Sequence, residues 1–110
     1  MKNIDLEKKF QKKLENLKQP KETISLEALA KAFGRTIREL RMERGLSQEN
    51  VIQLSGNLDR VTFQRYDAGK QVPKMIMLFY IAMALEVDPG LISNRAFKYY
   101  EQEIKENPGL

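Results

Sequence analysis

The apolar positions of this chain recur at helical spacing for most of its length. Leu6, Phe10, Leu14 and Leu17 are separated by 4, 4 and 3 positions, which sets them on one face of an amphipathic helix over residues 3–18. Pro20 in "KQPKET" interrupts that pattern, because proline cannot continue a helix. Ser25 is an N-cap for a second helix running through Arg44, with Leu29, Phe33, Ile37 and Leu40 on one face and Lys31, Arg35, Arg38 and Arg41 elsewhere. Gly45 stops it.

Two short helices follow. Ser47 caps the first, with Asn50 rather than Glu or Gln at the third position, so the capping box is incomplete on paper. Val51 and Leu54 are its inward positions and Gly56 its left-handed exit. Asp59 caps the second, over residues 60–67, with Phe63 and Tyr66 turned inward. Two short helices across a glycine-containing turn are the signature of a helix-turn-helix. Residues 74–86 then form a fourth core helix, and Asp88–Pro89 begin a fifth by the cap-then-proline rule. Ala96, Phe97, Tyr100 and Ile104 mark a C-terminal helix. With no alternating β-branched run and no repeat, the fold class is all-α.

The 110 residues suit one modest domain. Cysteine and histidine are both absent, which removes disulfides, thiolate chemistry, the usual zinc sites and the commonest general base. Neither an enzyme, a cofactor nor a metal is therefore expected. No window approaches the ~18 apolar residues of a membrane span, and "MKNIDLEKKF" lacks the apolar core of a signal peptide, so the expectation is a cytoplasmic protein without a membrane partner. The net charge of +4 permits an anionic partner, and its distribution is uneven: residues 1–44 hold 12 Lys and Arg against 7 acids, residues 74–110 hold 4 against 5.

Residues 33–92, through "FGRTIRELRMERGLSQENV", "FQRYDAGKQVP" and "AMALEVDPGLI", resemble the lambda-repressor-like (XRE/Cro) helix-turn-helix domains of phage repressors and bacterial regulators. The ordered combination of these stretches is much more specific than any one of them. Ser47–Gly69 is one residue longer than the family's usual spacing, and Ile52 stands where alanine is usual. The resemblance implies a five-helix bundle with additional N- and C-terminal helices. The organisation expected is residues 1–22 as an amphipathic helix and linker, 23–92 as the DNA-binding domain, and 93–110 as a C-terminal helix and tail.

In this motif the N-terminal half of the second short helix enters the major groove of double-stranded DNA. Arg60 and Arg65 suit bidentate recognition of guanine, Val61 a thymine methyl, and Gln48 a backbone and base contact. By resemblance, Ser47, Thr62, Lys70, Arg38 and Lys74 contact phosphates, whereas Asp59 and Glu49 serve as helix caps. Arg41 and Asp67 occupy the places of a partly buried arginine–carboxylate pair, expected here to be monodentate because the acid is a methylene shorter than the usual glutamate. The function expected is a sequence-specific transcriptional regulator, a repressor bound as a homodimer to a palindromic operator. Two alternatives are an antitoxin that also wraps a toxin with a terminal helix, and a protein-interaction module that does not bind DNA.

"MIMLFYIAMAL", residues 75–85, is apolar all round. The resemblance assigns Met75, Leu78, Ile81, Ala82 and Leu85 to the core. Ile76, Tyr80 and Met83, with Met77 beside them, form a second stripe that something should cover. The candidates are the N-terminal helix, the C-terminal helix through Phe97, Tyr100 and Ile104, and a dimer partner.

Overall fold

The computed structural model describes residues 2–17 and 23–107, which form six helices: α1 (Lys2–Leu17), α2 (Leu26–Glu43), α3 (Gln48–Ser55), α4 (Arg60–Asp67), α5 (Met75–Leu85) and α6 (Pro89–Glu106). The break expected at Pro20 and the side chain of Leu17 lie outside the described residues. Among the described residues no single helix is long and apolar enough to cross a membrane.

Local chemistry sets the helix ends. The Ser25 hydroxyl accepts from the Ala28 amide and the Asp59 carboxylate from the Thr62 amide, each satisfying a donor that a helix start leaves free. Ser47 and Asn50 form a complete capping box: the Ser47 hydroxyl accepts from Asn50 N–H at 3.0 Å, and the Asn50 side chain accepts from Ser47 N–H at 2.9 Å. The shorter amide of asparagine thus does what the sequence pattern left open.

The core is one cluster drawn from α2 to α6, with Ile37, Leu40, Val51, Phe63, Tyr66, Ile81, Leu85 and Ile92 fully buried. Burial of Phe63 and Tyr66 contributes about 2 kcal/mol each and seats α4 on the domain. In the α3–α4 turn Leu58 is buried in the core, and its N–H donates to the Ser55 hydroxyl at 3.2 Å. Ile52 packs against the same core from its edge.

Four expectations change. Leu54 is 61% exposed, because the inward side of α3 runs through Gln48, Val51, Ile52 and Ser55. The fifth helix and the C-terminal helix are one continuous element, α6, since nothing between Leu91 and Phe97 interrupts it. Met75 lies outside the core at 74% exposure, whereas Met77 and Tyr80 pack partly against it. Neither terminal helix covers the second stripe of α5, where Ile76 and Met83 stay exposed. α6 instead forms the largest interface of the fold, with α2.

That interface has an evident cause. Ala28, Ala32 and Thr36 are buried and share one face of α2, leaving room for a close neighbour. Polar contacts fix its register: Ser25 N–H donates to the Tyr100 hydroxyl at 3.2 Å, the Tyr99 hydroxyl to Glu39 at 2.5 Å, and Arg95 to Glu43 at 3.4 Å. Helix α1 has no comparable packing, and its Ile4, Leu6 and Phe10 are exposed.

Candidate nucleic-acid interface

The helix-turn-helix is held by a polar cluster around Asp67, the last residue of α4. Arg41 of α2 donates Nε to Asp67 Oδ1 and Nη2 to Oδ2, both at 3.2 Å, and its Nη1 to the Leu46 carbonyl at 3.0 Å. The pair is therefore bidentate, not monodentate. The aspartate is short, but the guanidinium fork matches both of its oxygens. Gln48 of α3 donates its side-chain amide to Asp67 Oδ2 at 2.8 Å, so one carboxylate joins three helices. Arg38, partly exposed, donates one guanidinium nitrogen to the Asp67 carbonyl and so joins this cluster as well.

On α4 the buried side is Phe63, Tyr66 and Asp67, and the opposite side presents Arg60, Val61, Gln64 and Arg65, all exposed. The expected reading residues thus share one face. Arg65, Lys70 and Lys74 are exposed, and no ion pair among the described residues involves them. Lys70 follows Gly69 and donates its backbone N–H to the Arg65 carbonyl at 2.9 Å, which closes the end of α4. Lys74 precedes α5 as its N-cap residue, without a side-chain cap bond.

Other expected contacts have internal partners. The Thr62 hydroxyl donates to Asp59 Oδ2 at 3.1 Å, and the Ser47 hydroxyl is engaged in its cap. Hydrogen bonds from Thr62 hold the Asp59 carboxyl below its ordinary pKa. Glu49 is not a cap. It pairs with Arg60 across the turn and accepts from Gln53 at 3.4 Å, and the hydrogen bond from Arg60 draws its pKa down. Sequence reasoning missed this pair and the Gln48–Asp67 bond, because each joins positions 11 or 19 apart that only the relative placement of the helices brings together.

No family model matches the chain, and neither does any curated protein sequence. Solved structures do. The chain is 35% identical to the restriction-modification controller protein C.AhdI from Aeromonas hydrophila, over 57% of this chain and 94% of that one, with a TM-score of 0.53. The restriction-modification controller protein C.Esp1396I, solved as a tetramer with its natural 35 base-pair operator, is 25% identical over 66% of this chain and 95% of that one, with a TM-score of 0.58. Its wild-type structure gives 25% identity and a TM-score of 0.56 over 64% and 90%. With the helix order, the capped α3–α4 turn and the Arg41–Asp67 tie in place, these likenesses settle the grouping: the chain belongs to the lambda-repressor-like (XRE/Cro) helix-turn-helix family.

Proposed function

We propose that the protein is a sequence-specific transcriptional regulator, a repressor that binds operator DNA as a homodimer with α4 in the major groove. The observation that carries this reading is the division of α4 into a buried face and an outer face of Arg60, Val61, Gln64 and Arg65. The structural neighbours support it, one of them being bound to its operator. The second apolar stripe of α5 supplies the surface for self-association. Of that stripe Ile76 and Met83 are 56% and 72% exposed, and Phe79 beside them is 47% exposed, on a helix that carries no charge.

The test is enrichment of duplexes from a randomised pool by the full chain. The expected result is a two-fold-related sequence with half-sites about one helical turn apart, bound by two copies. Equal retention of all sequences at every salt concentration would leave only non-specific attraction. A second reading, a protein partner held through α1, has only the exposed Ile4, Leu6 and Phe10 as its support.

A further inference from the structure

The two helices of the motif begin with opposite charges that meet. Glu49 is the second residue of α3 and Arg60 the first of α4, and Arg60 donates its Nη1 to Glu49 Oε2. Glu49 Oε1 accepts from Gln53, one turn further along α3, so both carboxylate oxygens are engaged on the helix surface. The pair is about half exposed, at 56% for Arg60 and 41% for Glu49. With Nη1 taken, the guanidinium keeps Nε and Nη2, two parallel donors on its side-on edge. That is the geometry that matches O6 and N7 of guanine.

We infer that Glu49 is a positioning residue for base recognition: it holds Arg60 by one nitrogen, so that the remaining edge is already oriented when a base arrives. The inference rests on the reading of α4 as the DNA-reading helix. An arginine braced in the free protein has less side-chain freedom to lose on binding than one that waves in solvent. The carboxylate also repels phosphates wherever the protein lands. Glu49 therefore acts in opposite directions on the two kinds of DNA, strengthening binding where a guanine meets Arg60 and weakening it elsewhere.

The experiment uses duplexes enriched from a random pool by the wild-type chain of 110 residues, together with one random duplex. Wild type, Glu49→Gln, Glu49→Ala, Arg60→Ala, the Glu49→Ala/Arg60→Ala double variant and Arg65→Ala are compared. Thermal melts run in parallel confirm that each variant is folded. Glu49→Ala is expected to lower affinity for the enriched duplex about tenfold, the scale of one bidentate base contact, and to relax preference at the base pair that Arg60→Ala also relaxes. The double variant should bind no worse than Arg60→Ala alone, and Arg65→Ala should relax a different base pair. Glu49→Gln, which keeps an acceptor without the charge, should fall between wild type and Glu49→Ala. Affinity for the random duplex should hold or rise. Equal gains on both duplexes, additive losses in the double variant, or a preference unchanged in Glu49→Ala would overturn the brace while leaving DNA reading intact. A wild-type chain that enriches no sequence would overturn both.

Discussion

Gly34 of α2 and Gly69 after α4 meet backbone to backbone: a Cβ on Gly34 would lie 2.6 Å from both the Cα and the N of Gly69, and 3.0 Å from the Tyr66 carbonyl oxygen. No side chain can yield there, because the obstructing atoms are main chain. Gly34→Ala should therefore force the end of α4 away from α2 and cost on the order of 3 kcal/mol, read by urea or thermal unfolding. Gly69 has a φ of 72°, and its Cβ would meet Lys31 Cα at 3.2 Å, so strain and crowding add. Gly56 has a similar φ of 71° but open space around it, and Gly56→Ala should cost only about 1 kcal/mol. A Gly34→Ala variant as stable as wild type would contradict the close approach.

Asp67→Ala should be among the most damaging single changes in the chain. The Asp67 side chain is 3% exposed and Arg41 13%, so the substitution strands a buried guanidinium and frees Gln48 at once. A loss of about 3–5 kcal/mol is expected. Arg41→Ala and the double variant complete a cycle whose coupling should be large. An unchanged melting temperature in Asp67→Ala would mean that the cluster does not hold the motif.

Two cations of the candidate interface should separate by sequence dependence. Arg65→Ala should lower affinity for an enriched duplex tenfold or more and relax one base pair, by about 1–3 kcal/mol. Lys70→Ala should weaken every duplex alike and reduce the salt slope by about one. Equal losses on specific and random DNA for Arg65→Ala would remove it from base reading.

Stability should have both an acid and an alkaline limb traceable to the α2–α6 seam. Partial burial pushes the Glu39 carboxyl up, but the Tyr99 hydroxyl and Arg35, with the charge of Arg95, more than offset it and hold the group below its ordinary value. A depressed carboxyl contributes stability above the unfolded value near 4.5, and that contribution is lost as pH falls through the lower folded value. Tyr99 is raised by its hydrogen bond to Glu39 and by burial, so its contribution is full below about 10 and is lost as pH rises through the higher folded value. Glu39→Gln should flatten the first limb and Tyr99→Phe the second, in urea titrations across pH. Unaltered limbs would show the seam to be electrostatically idle.

For self-association, Ile76→Glu and Met83→Glu place a charge on the exposed stripe without touching the core, whereas Tyr80 packs partly against the core and is a poorer probe. Both variants should remain folded and sediment as monomers. A dimer that survives both substitutions would place the interface elsewhere.

The motif itself was legible in the sequence, because Ser47, Gly56 and Asp59 each carry a backbone instruction that needs no distant partner. Phe63 and Tyr66 were legible for the same reason, as aromatics set three apart on a short helix. Tertiary placement was not. Leu54 reads as inward by spacing from Val51, yet the inward side has Val51 at its centre and runs on through the partly buried Gln48 and Ser55. Their polar groups have work there: one donates to Asp67, the other bonds the Ile52 carbonyl and the Leu58 amide. A hydrophobic pattern cannot reveal an inward face that is partly polar. The Glu49–Arg60 pair was hidden likewise, since Glu49 alone reads as a helix cap and Arg60 alone as a base-reading arginine, and nothing local joins the two.

The seam between α2 and α6 also determines where mechanical load goes. The start of α2, reached through residues 18–22 from α1, is tied by Ser25 to Tyr100, well along α6, and further ties follow at Tyr99 and Arg95. Tension applied through α1 is thus borne first by a two-helix clamp. The Asp67 cluster, which fixes α3 and α4, attaches to α2 further along, at Arg38 and Arg41. A partner pulling on the N-terminal helix would strain the clamp before it tilted α4.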